Sequence, residues 1–208
     1  PLAPFEQTEL LFRKHGESFS KEDRWAIQEF LYLCECEEFL LVELGRRREQ
    51  FQFQKSGFYF KGHGKDASFA LRRHLGYRAN EVPQDVFKDF SRIGFHVFRR
   101  HLVESSISGI YVKHPYAGPC ILVNYSEDLY RQRFSAAHEA AHAILDTDKE
   151  INVSFNKWDI KDLSEVRANA FASNYLIPPE VLHAIPNPKR WNEEKTLEWA
   201  KRLMVNVE

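Results

Sequence analysis

The chain is short of the features that mark secreted, membrane and nucleic-acid-binding proteins. It has only three cysteines (Cys34, Cys36 and Cys120), an odd number that cannot be fully paired within one chain. No apolar run approaches the roughly 20 residues that a membrane-spanning helix needs. The net charge is −1, so the basic excess typical of a nucleic-acid-binding surface is missing. We therefore expect a cytoplasmic protein with reduced thiols and no membrane association.

Apolar residues make up 43% of the 208 positions, which is enough for one sizeable core. Helical patterns flank a group of short strand-like segments, and this order predicts an α+β fold. We predict a mainly helical protein with a small, mostly antiparallel sheet of about three strands. The predicted helices are 21–44, 66–75, 83–93, 127–145, 163–176 and 192–204. The predicted strands are 95–98, 109–112 and 121–124, and the segment 151–155 is also compatible with a strand.

The sequence pattern changes twice along the chain, which predicts three parts. Residues 1–64 have the pattern of a helical connector followed by a linker, residues 65–185 that of a compact domain, and residues 186–208 that of a C-terminal helical segment that we expect to be incomplete. Within the first part, Ser20 and Asp23 resemble a capping box at the start of a helix.

The linker opens with Arg46, Arg47 and Arg48, directly after the predicted helix stop at Gly45. Three arginines can contact phosphate, but cations are also favoured at the C-terminus of a helix. We therefore interpret the run as a solvated group of charges rather than a nucleic-acid site.

The segment His138-Glu139-Ala140-Ala141-His142 carries the chemistry. Residues four apart lie on one face of a helix, so both imidazoles can reach one ion at about 2.0–2.1 Å. Glu139 projects about 100° away, outside the coordination shell, where its carboxylate can accept a proton from an attacking water. A surface helix with two unrelated histidines is the plain alternative. The spacing favours a zinc-dependent hydrolase with His138 and His142 as ligands and Glu139 as the base.

A catalytic zinc usually has three protein ligands and one open position, so a third ligand is needed. Glu165 is the best candidate, in the first turn of the next predicted helix, although an acid is also favoured there by the helix dipole. Asn169 lies four residues further on the same face, where it can orient a ligating histidine. Asp146, Asp148 and His183 are rival third ligands.

The segments RQRFSAAHEAAHAIL and SEVRANAFASNYLIP together resemble the core of the ImmA/IrrE family of metallopeptidases. In that family an Arg-Phe pair leads into HExxH, and the pattern E-x-x-A-N-x-F-A-x-x-x-L-x-P follows on the next helix. The matching residues are Arg133, Phe134, Glu165, Ala168, Asn169, Phe171, Ala172, Leu176 and Pro178. Upstream, LGY, IGFHVF, SGIYV and ILVNYS also match, so the resemblance covers about residues 65–180. Ala141 is a mild departure, because family members often have Gly there.

The resemblance implies a zinc ion bound by His138, His142 and Glu165, with Glu139 as the catalytic base. It also implies an intracellular endopeptidase whose target is a helix-turn-helix repressor, as for family members that control mobile-element transfer or the DNA-damage response. LLFRKHGESFSKEDRWAIQEF resembles the connector of longer members that carry an N-terminal helix-turn-helix domain. We therefore expect this chain to be a fragment, with DNA as a partner only through such a missing domain.

Two questions stay open at this point. The domain can instead serve as a non-proteolytic or weakly proteolytic sensor or docking domain of a transcription regulator, although an intact HEAAH with Glu165 counts against it. The group that stabilises the oxyanion is also open. Its candidates are Tyr111, His114, Tyr116, Tyr125, Tyr130 and His183.

Overall fold

The computed structural model describes residues 19–103, 106–155, 162–186 and 191–206, and in these ranges the chain forms seven helices and one sheet. The helices are α1 (Lys21–Glu43), α2 (Phe60–Leu75), α3 (Val86–Arg92), α4 (Leu129–Leu145), α5 (Leu163–Leu176), α6 (Pro179–His183) and α7 (Glu193–Leu203). The strands are β1 (His96–Arg100), β2 (Ile107–His114), β3 (Gly118–Asn124) and β4 (Ile151–Phe155). The start of the expected connector, in residues 1–18, and the expected incomplete end, at 207–208, lie outside the described residues.

The mixed α+β class is confirmed, but the predicted sheet was wrong in two respects. The sheet has four strands in the order β1-β3-β2-β4, not about three. It is also mixed, because β1 runs parallel to β3 while β2 is antiparallel to both β3 and β4. Local patterns show where a strand is but not which distant strand it pairs with, so the parallel pair was missed.

The sheet is covered on both faces by helices, because successive side chains of a strand point to opposite sides. On one face, Ile110 and Leu122 pack against α1, where Phe30 is fully buried. On the other face, Tyr111 and Ile121 belong to the core shared with α4 and α5. α1 and α4 therefore lie on opposite faces of the same sheet.

The start of α1 follows the sequence prediction. The Ser20 side chain accepts a hydrogen bond from the Asp23 backbone at 3.0 Å, and the Asp23 carboxylate accepts one from the Ser20 backbone at 3.0 Å. The capping box is thus confirmed. Gly45 follows the helix with a φ of 62°, the left-handed conformation that suits a glycine stop.

Two of the three arginines after α1 form ion pairs with the acidic end of that helix. Arg47 lies 2.8 Å from Glu38, and Arg48 lies 2.9 Å from Glu37. Arg48 also donates to the Ser91 carbonyl at 2.8 Å. These contacts give Arg47 and Arg48 partners within the protein and so count against a phosphate-binding site, although the expected solvated group is in part paired.

α2 begins at Phe60, six residues earlier than predicted, because Gly62 and Gly64 suggested a linker. Gly64 is instead required by close helix packing. A Cβ at this position would collide with the carbonyl oxygen of Arg167 and lie 2.9 Å from the backbone nitrogen of Phe171, both on α5. The glycine therefore lets α2 lie directly against the helix that carries Glu165.

Cys34 and Cys120 are buried and Cys36 is half-buried, and all three are free thiols. Among the described residues, no helix has both the length and the apolar character that crossing a membrane requires.

Candidate metal centre

The HEAAH segment lies in the middle of α4. Asp128 caps the start of this helix and accepts hydrogen bonds from the backbone of Tyr130 and Arg131 at 2.9 and 3.1 Å. From Ser135 to Leu145 every residue is buried, because the sheet covers one side of α4 and α5 covers another. The alanines of the segment have small side chains, which lets these neighbours approach closely.

Arg133 anchors α4 to two distant parts of the chain. Its guanidinium donates to the backbone carbonyls of Pro83, Gln84 and Met204 at 2.6, 2.8 and 3.1 Å. The side chain is buried, and burial lowers the pKa of the guanidinium. Arg133 therefore fixes the position of the helix and does not point into the site.

Glu165 comes to the site from the first turn of α5. Asp162 caps this helix and accepts from the Ser164 backbone at 2.8 Å. The structure brings Glu165 together with His138 and His142, and these three form a group whose ligand atoms all lie within 4.8 Å of one another. The two histidines and the acid predicted from the sequence therefore converge at one place.

The three groups have the spacing of ligands around a single ion. The Nε2 atoms of His138 and His142 are 3.1 Å apart. The Glu165 carboxylate oxygens lie 3.1 Å from Nε2 of His138 and 3.2 Å from Nε2 of His142. A four-coordinate tetrahedral zinc with bonds of about 2.0–2.1 Å holds neighbouring ligand atoms about 3.3 Å apart. The donor set therefore fits such an ion.

Both histidines are oriented through their other ring nitrogen. Nδ1 of His138 donates to the side-chain oxygen of Asn169 at 2.9 Å, and Nδ1 of His142 donates to the Asp146 carboxylate at 2.7 Å. Because both partners are acceptors, the proton resides on Nδ1 and the Nε2 lone pairs point at the site. Asn169 thus lies where the sequence predicted an orienting residue.

Three acceptor atoms that face one another need a cation or a proton between them. Burial tends to raise the pKa of Glu165, but the neighbouring His138 and His142 outweigh this effect and hold that pKa well below its usual range. Glu165 is therefore a carboxylate at neutral pH. An oxygen anion with two imidazole nitrogens is a donor set that zinc accepts readily.

Asp146 was a rival third ligand, and the structure gives it another role. Besides accepting from His142, it is paired with Arg167 of α5, and both side chains are buried. The guanidinium of Arg167 also lies over the ring of Phe60 at 5.5 Å. A chain of contacts therefore runs from His142 through Asp146 to Arg167 and links α4 to α5.

Glu139 is fully buried beside the three converging groups. Neither of its carboxylate oxygens has a hydrogen-bond partner in the described part of the chain. Burial raises the pKa of Glu139, although the neighbouring His138 and His142 and the nearby Ser154 side chain act in the opposite direction. An unpartnered buried carboxyl is costly in a fold, so its retention here indicates a use in binding or chemistry.

A small cleft opens beside these residues. Its lining combines the converging groups with polar and aromatic side chains from β2, β4 and the N-terminal half of α4. The lining residues are Ser108, Arg131, Phe134, Ser135, His138, Glu139, Ser154 and Glu165. His138 and Glu139 therefore lie on the wall of this small cleft, together with Glu165.

Sequence reasoning missed part of this lining. Arg131 could have been found, because it precedes His138 by seven residues and so shares its helix face. Ser108 and Ser154 gave no signal, since their place depends on the pairing of β2 with β4. Ser108 and Ser135 donate to the half-buried Glu127 at 2.7 and 3.2 Å, so these three polar side chains lie together at this end of the cleft.

The remaining candidates from the sequence lie elsewhere. Asp148 and His183 are exposed and are not part of the converging group. None of the six oxyanion candidates lines the cleft as it is formed by the described residues. Tyr111 is buried in the core, and His114 accepts backbone hydrogen bonds from Tyr116 and Ala117 in the turn after β2.

Comparison with known families agrees with this site. The Peptidase_M78 family, described as the IrrE N-terminal-like domain, matches residues 90–208. This range is more than half of the chain and includes α4 and α5 with every residue of the converging group. A comparison with curated proteins found no match. The match to the family, together with the site that the fold assembles, shows that the chain belongs to the ImmA/IrrE family of metallopeptidases.

Proposed function

We propose that this protein is a zinc-dependent endopeptidase of the cytoplasm that cleaves a regulatory protein, specifically a helix-turn-helix repressor. The single observation that carries the proposal is the convergence of His138, His142 and Glu165 beside the buried, unpartnered carboxyl of Glu139. Membership of a metallopeptidase family supports the reaction type. The repressor as target follows from the resemblance to family members of known role.

In the proposed mechanism each residue has a separate task. His138, His142 and Glu165 hold the zinc, and Asn169 and Asp146 keep the two imidazoles in their ligating orientation. Zinc in such a site supplies a Lewis acid that polarises the scissile carbonyl and makes water a better nucleophile.

Glu139 is assigned the proton transfers. Its carboxylate takes a proton from the attacking water and then gives a proton to the nitrogen of the leaving amine as the C–N bond breaks. A base works best when its pKa lies near the pH of the reaction, so the rise in the pKa of Glu139 that burial causes suits this task.

An extended polypeptide is the substrate shape that this cleft favours. Ser154 lines the cleft and belongs to β4, which is an edge strand of the sheet formed by the described residues. Edge strands offer backbone groups to an added strand, so a substrate chain can pair beside β4 and pass Glu139. Such a chain continues past the site at both ends, as an endopeptidase requires.

The test uses the full chain and a helix-turn-helix repressor encoded beside it. We expect the zinc-loaded protein to cut the repressor and a chelator to stop the reaction. Glu139→Gln should keep the metal, measured by elemental analysis, and lose the cleavage. Glu180→Gln, at an exposed glutamate of α6, is the matched control and should behave as wild type.

Each failure of this test has a distinct meaning. Equal cleavage by wild type and Glu139→Gln would show that Glu139 is not the catalytic base. Zinc binding without cleavage of any repressor would instead support a sensor or docking domain of a transcription regulator.

A further inference from the structure

α1 carries an exposed apolar line on the side that faces away from the sheet. Trp25, Tyr32 and Phe39 follow one another at intervals of seven residues, and 65%, 63% and 55% of their surfaces are exposed. Seven-residue spacing keeps side chains on one narrow line of a helix, as in the seam between two packed helices. We name these three residues the α1 stripe. This spacing indicates that the stripe packs against a helix of its partner rather than against a flat surface.

The α1 stripe and the charged residues at its two ends are placed symmetrically about Tyr32. An aromatic side chain lies on each side of Tyr32, and the two ends carry opposite charges. Trp25 and Phe39 each lie seven residues from Tyr32, and Lys21 and Glu43 each lie eleven residues from it. At 100° per residue, all five side chains point within about 40° of one direction. Lys21 and Glu43 are exposed, and neither makes an ion pair within the described residues.

This arrangement makes the stripe complementary to an inverted copy of itself. In an antiparallel pair with its two-fold axis at Tyr32, Lys21 lies beside the partner's Glu43, and Trp25 lies beside the partner's Phe39. A parallel pair would instead place like charges together at both ends. The opposed helix dipoles of the antiparallel pair are also favourable. We propose that a second copy of this chain docks antiparallel along the α1 stripe to form a homodimer.

The proposed dimer leaves the metal centre accessible. α1 packs on the face of the sheet opposite α4, so a partner on the stripe lies away from the cleft. The pairing therefore does not depend on the proposed peptidase function, and metal content and cleavage should be the same in dimer and monomer.

The first test measures the mass of the full chain by sedimentation velocity over a range of concentrations. We expect a reversible dimer. Tyr32→Glu places two carboxylates face to face on the two-fold axis and should raise the dimer dissociation constant about a hundredfold or more. Leu182→Glu replaces another exposed apolar residue, on α6, and should leave the dimer unchanged. A monomer at all concentrations would overturn the proposal.

A charge exchange tests the orientation. Lys21→Glu should weaken the dimer about fivefold, because two exposed ion pairs become repulsive. Adding Glu43→Lys in the same chain restores opposite charges and should restore the affinity. An additive loss in the double variant would show that Lys21 and Glu43 do not face each other across the interface.

Cross-linking gives an independent measure of orientation. Gln28 and Cys36 each lie four residues from Tyr32, so an antiparallel pair places Gln28 beside the partner's Cys36. Under mild oxidation Gln28→Cys should form a disulfide-linked dimer, and Gln28→Cys/Cys36→Ser should not. Wild type linked through Cys36 alone would indicate a parallel pair and contradict the proposal. A monomer whose Trp25 and Tyr32 are protected from hydroxyl radicals would show that another part of the chain covers the stripe.

Discussion

Gly109 of β2 and Glu139 of α4 approach so closely that a side chain at position 109 would press on the Glu139 carboxyl group. A Cβ on Gly109 would lie 2.9 Å from both Cγ and Oε1 of Glu139. Real Cβ atoms do not make such contacts, so any side chain there must displace the carboxyl group. The glycine thus defines the floor against which the proposed base rests.

We expect Gly109→Ala to lower the rate of cleavage by roughly a hundredfold, the cost of a displacement of about 1 Å at a reacting group. Metal content should stay at the wild-type level, because the three atoms nearest the added methyl group all belong to Glu139 and not to a metal ligand. The measurement is kcat/KM on a repressor substrate together with elemental analysis.

Gly64→Ala is the matched control for Gly109→Ala. It also introduces one methyl group at a close approach, but the obstacle there is the backbone of α5. Its main effect should be a loss of about 1–3 kcal/mol in the free energy of unfolding, caused by overpacking. This loss should appear as a lower Tm. If Gly109→Ala retained full activity, the close contact with Glu139 would have no part in the reaction.

The buried carboxyl of Glu139 predicts a pH-dependent change in stability. Burial raises its pKa, so the folded chain binds this proton more tightly than the unfolded chain does. The stability contributed by the protonated form is therefore present at low pH. It is lost as the pH rises from the unfolded value of about 4.3 through the folded value. In the metal-free protein, Glu139→Gln should raise the free energy of unfolding by about 1–3 kcal/mol at pH 8 and by much less at pH 4.

Thermal melting of the metal-free proteins at the two pH values checks this prediction. Glu180→Gln, at an exposed site, should change neither melt. A Glu139→Gln variant that is less stable than wild type at pH 8 would mean that the ionised carboxyl has a stabilising partner.

The assignment of the third ligand predicts a clear ranking of variants. Glu165→Ala should weaken zinc binding by more than the roughly 10–100-fold that loss of an outer hydrogen-bond partner costs. Asp148→Ala and His183→Ala should bind zinc as wild type does. Competition with a chromogenic chelator measures the affinities. If Asp148→Ala or His183→Ala lost the metal while Glu165→Ala kept it, the ligand set would have to be revised.

The partners of the two imidazoles should tune metal affinity without being ligands. Asn169→Ala removes the acceptor for Nδ1 of His138 and should cost about 10–100-fold in zinc affinity. Asn169→Asp keeps an acceptor there and should recover most of that loss. A purely structural role would instead lower the Tm in both variants and leave the affinity of the folded protein unchanged.

Asp146→Asn tests the other imidazole. The amide can still accept from His142, but the charge that pairs with Arg167 is lost, which leaves a buried guanidinium without its carboxylate. We expect a lower Tm as well as weaker zinc binding. Equal affinity and stability in wild type and Asp146→Asn would show that the contact chain from His142 to Arg167 is not used.

The parts of the site that could be predicted from the sequence are those whose residues lie close together along the chain. His138, Glu139 and His142 lie within five residues, and helical periodicity alone fixes their relative directions. Glu165 and Asn169 were also predicted from periodicity, because both lie on one face of the next helix. What joins the two helices is tertiary packing, so periodicity left Asp146, Asp148 and His183 as rivals, and the resemblance to the family favoured Glu165.

Other relationships could not be predicted, because they depend on distant pairing. The parallel contact of β1 with β3 and the place of Ser154 on β4 follow from strand order, which local patterns do not encode. Asp146 shows a subtler limit. Its spacing from His142 placed it near the site, but only the structure shows that its carboxylate meets Nδ1 rather than the metal-facing nitrogen.

Arg133 leads the family's Arg-Phe pair, and its three backbone contacts explain why an arginine outside the cleft belongs to that motif. The carbonyls it holds lie 50 residues before it and 71 residues after it, so one side chain closes two long loops. Closing such loops costs conformational entropy that local structure cannot offset. The segments around Pro83 and Met204 should therefore order in the same folding step as α4. In hydrogen exchange they would open together with it and not as independent ends of the chain.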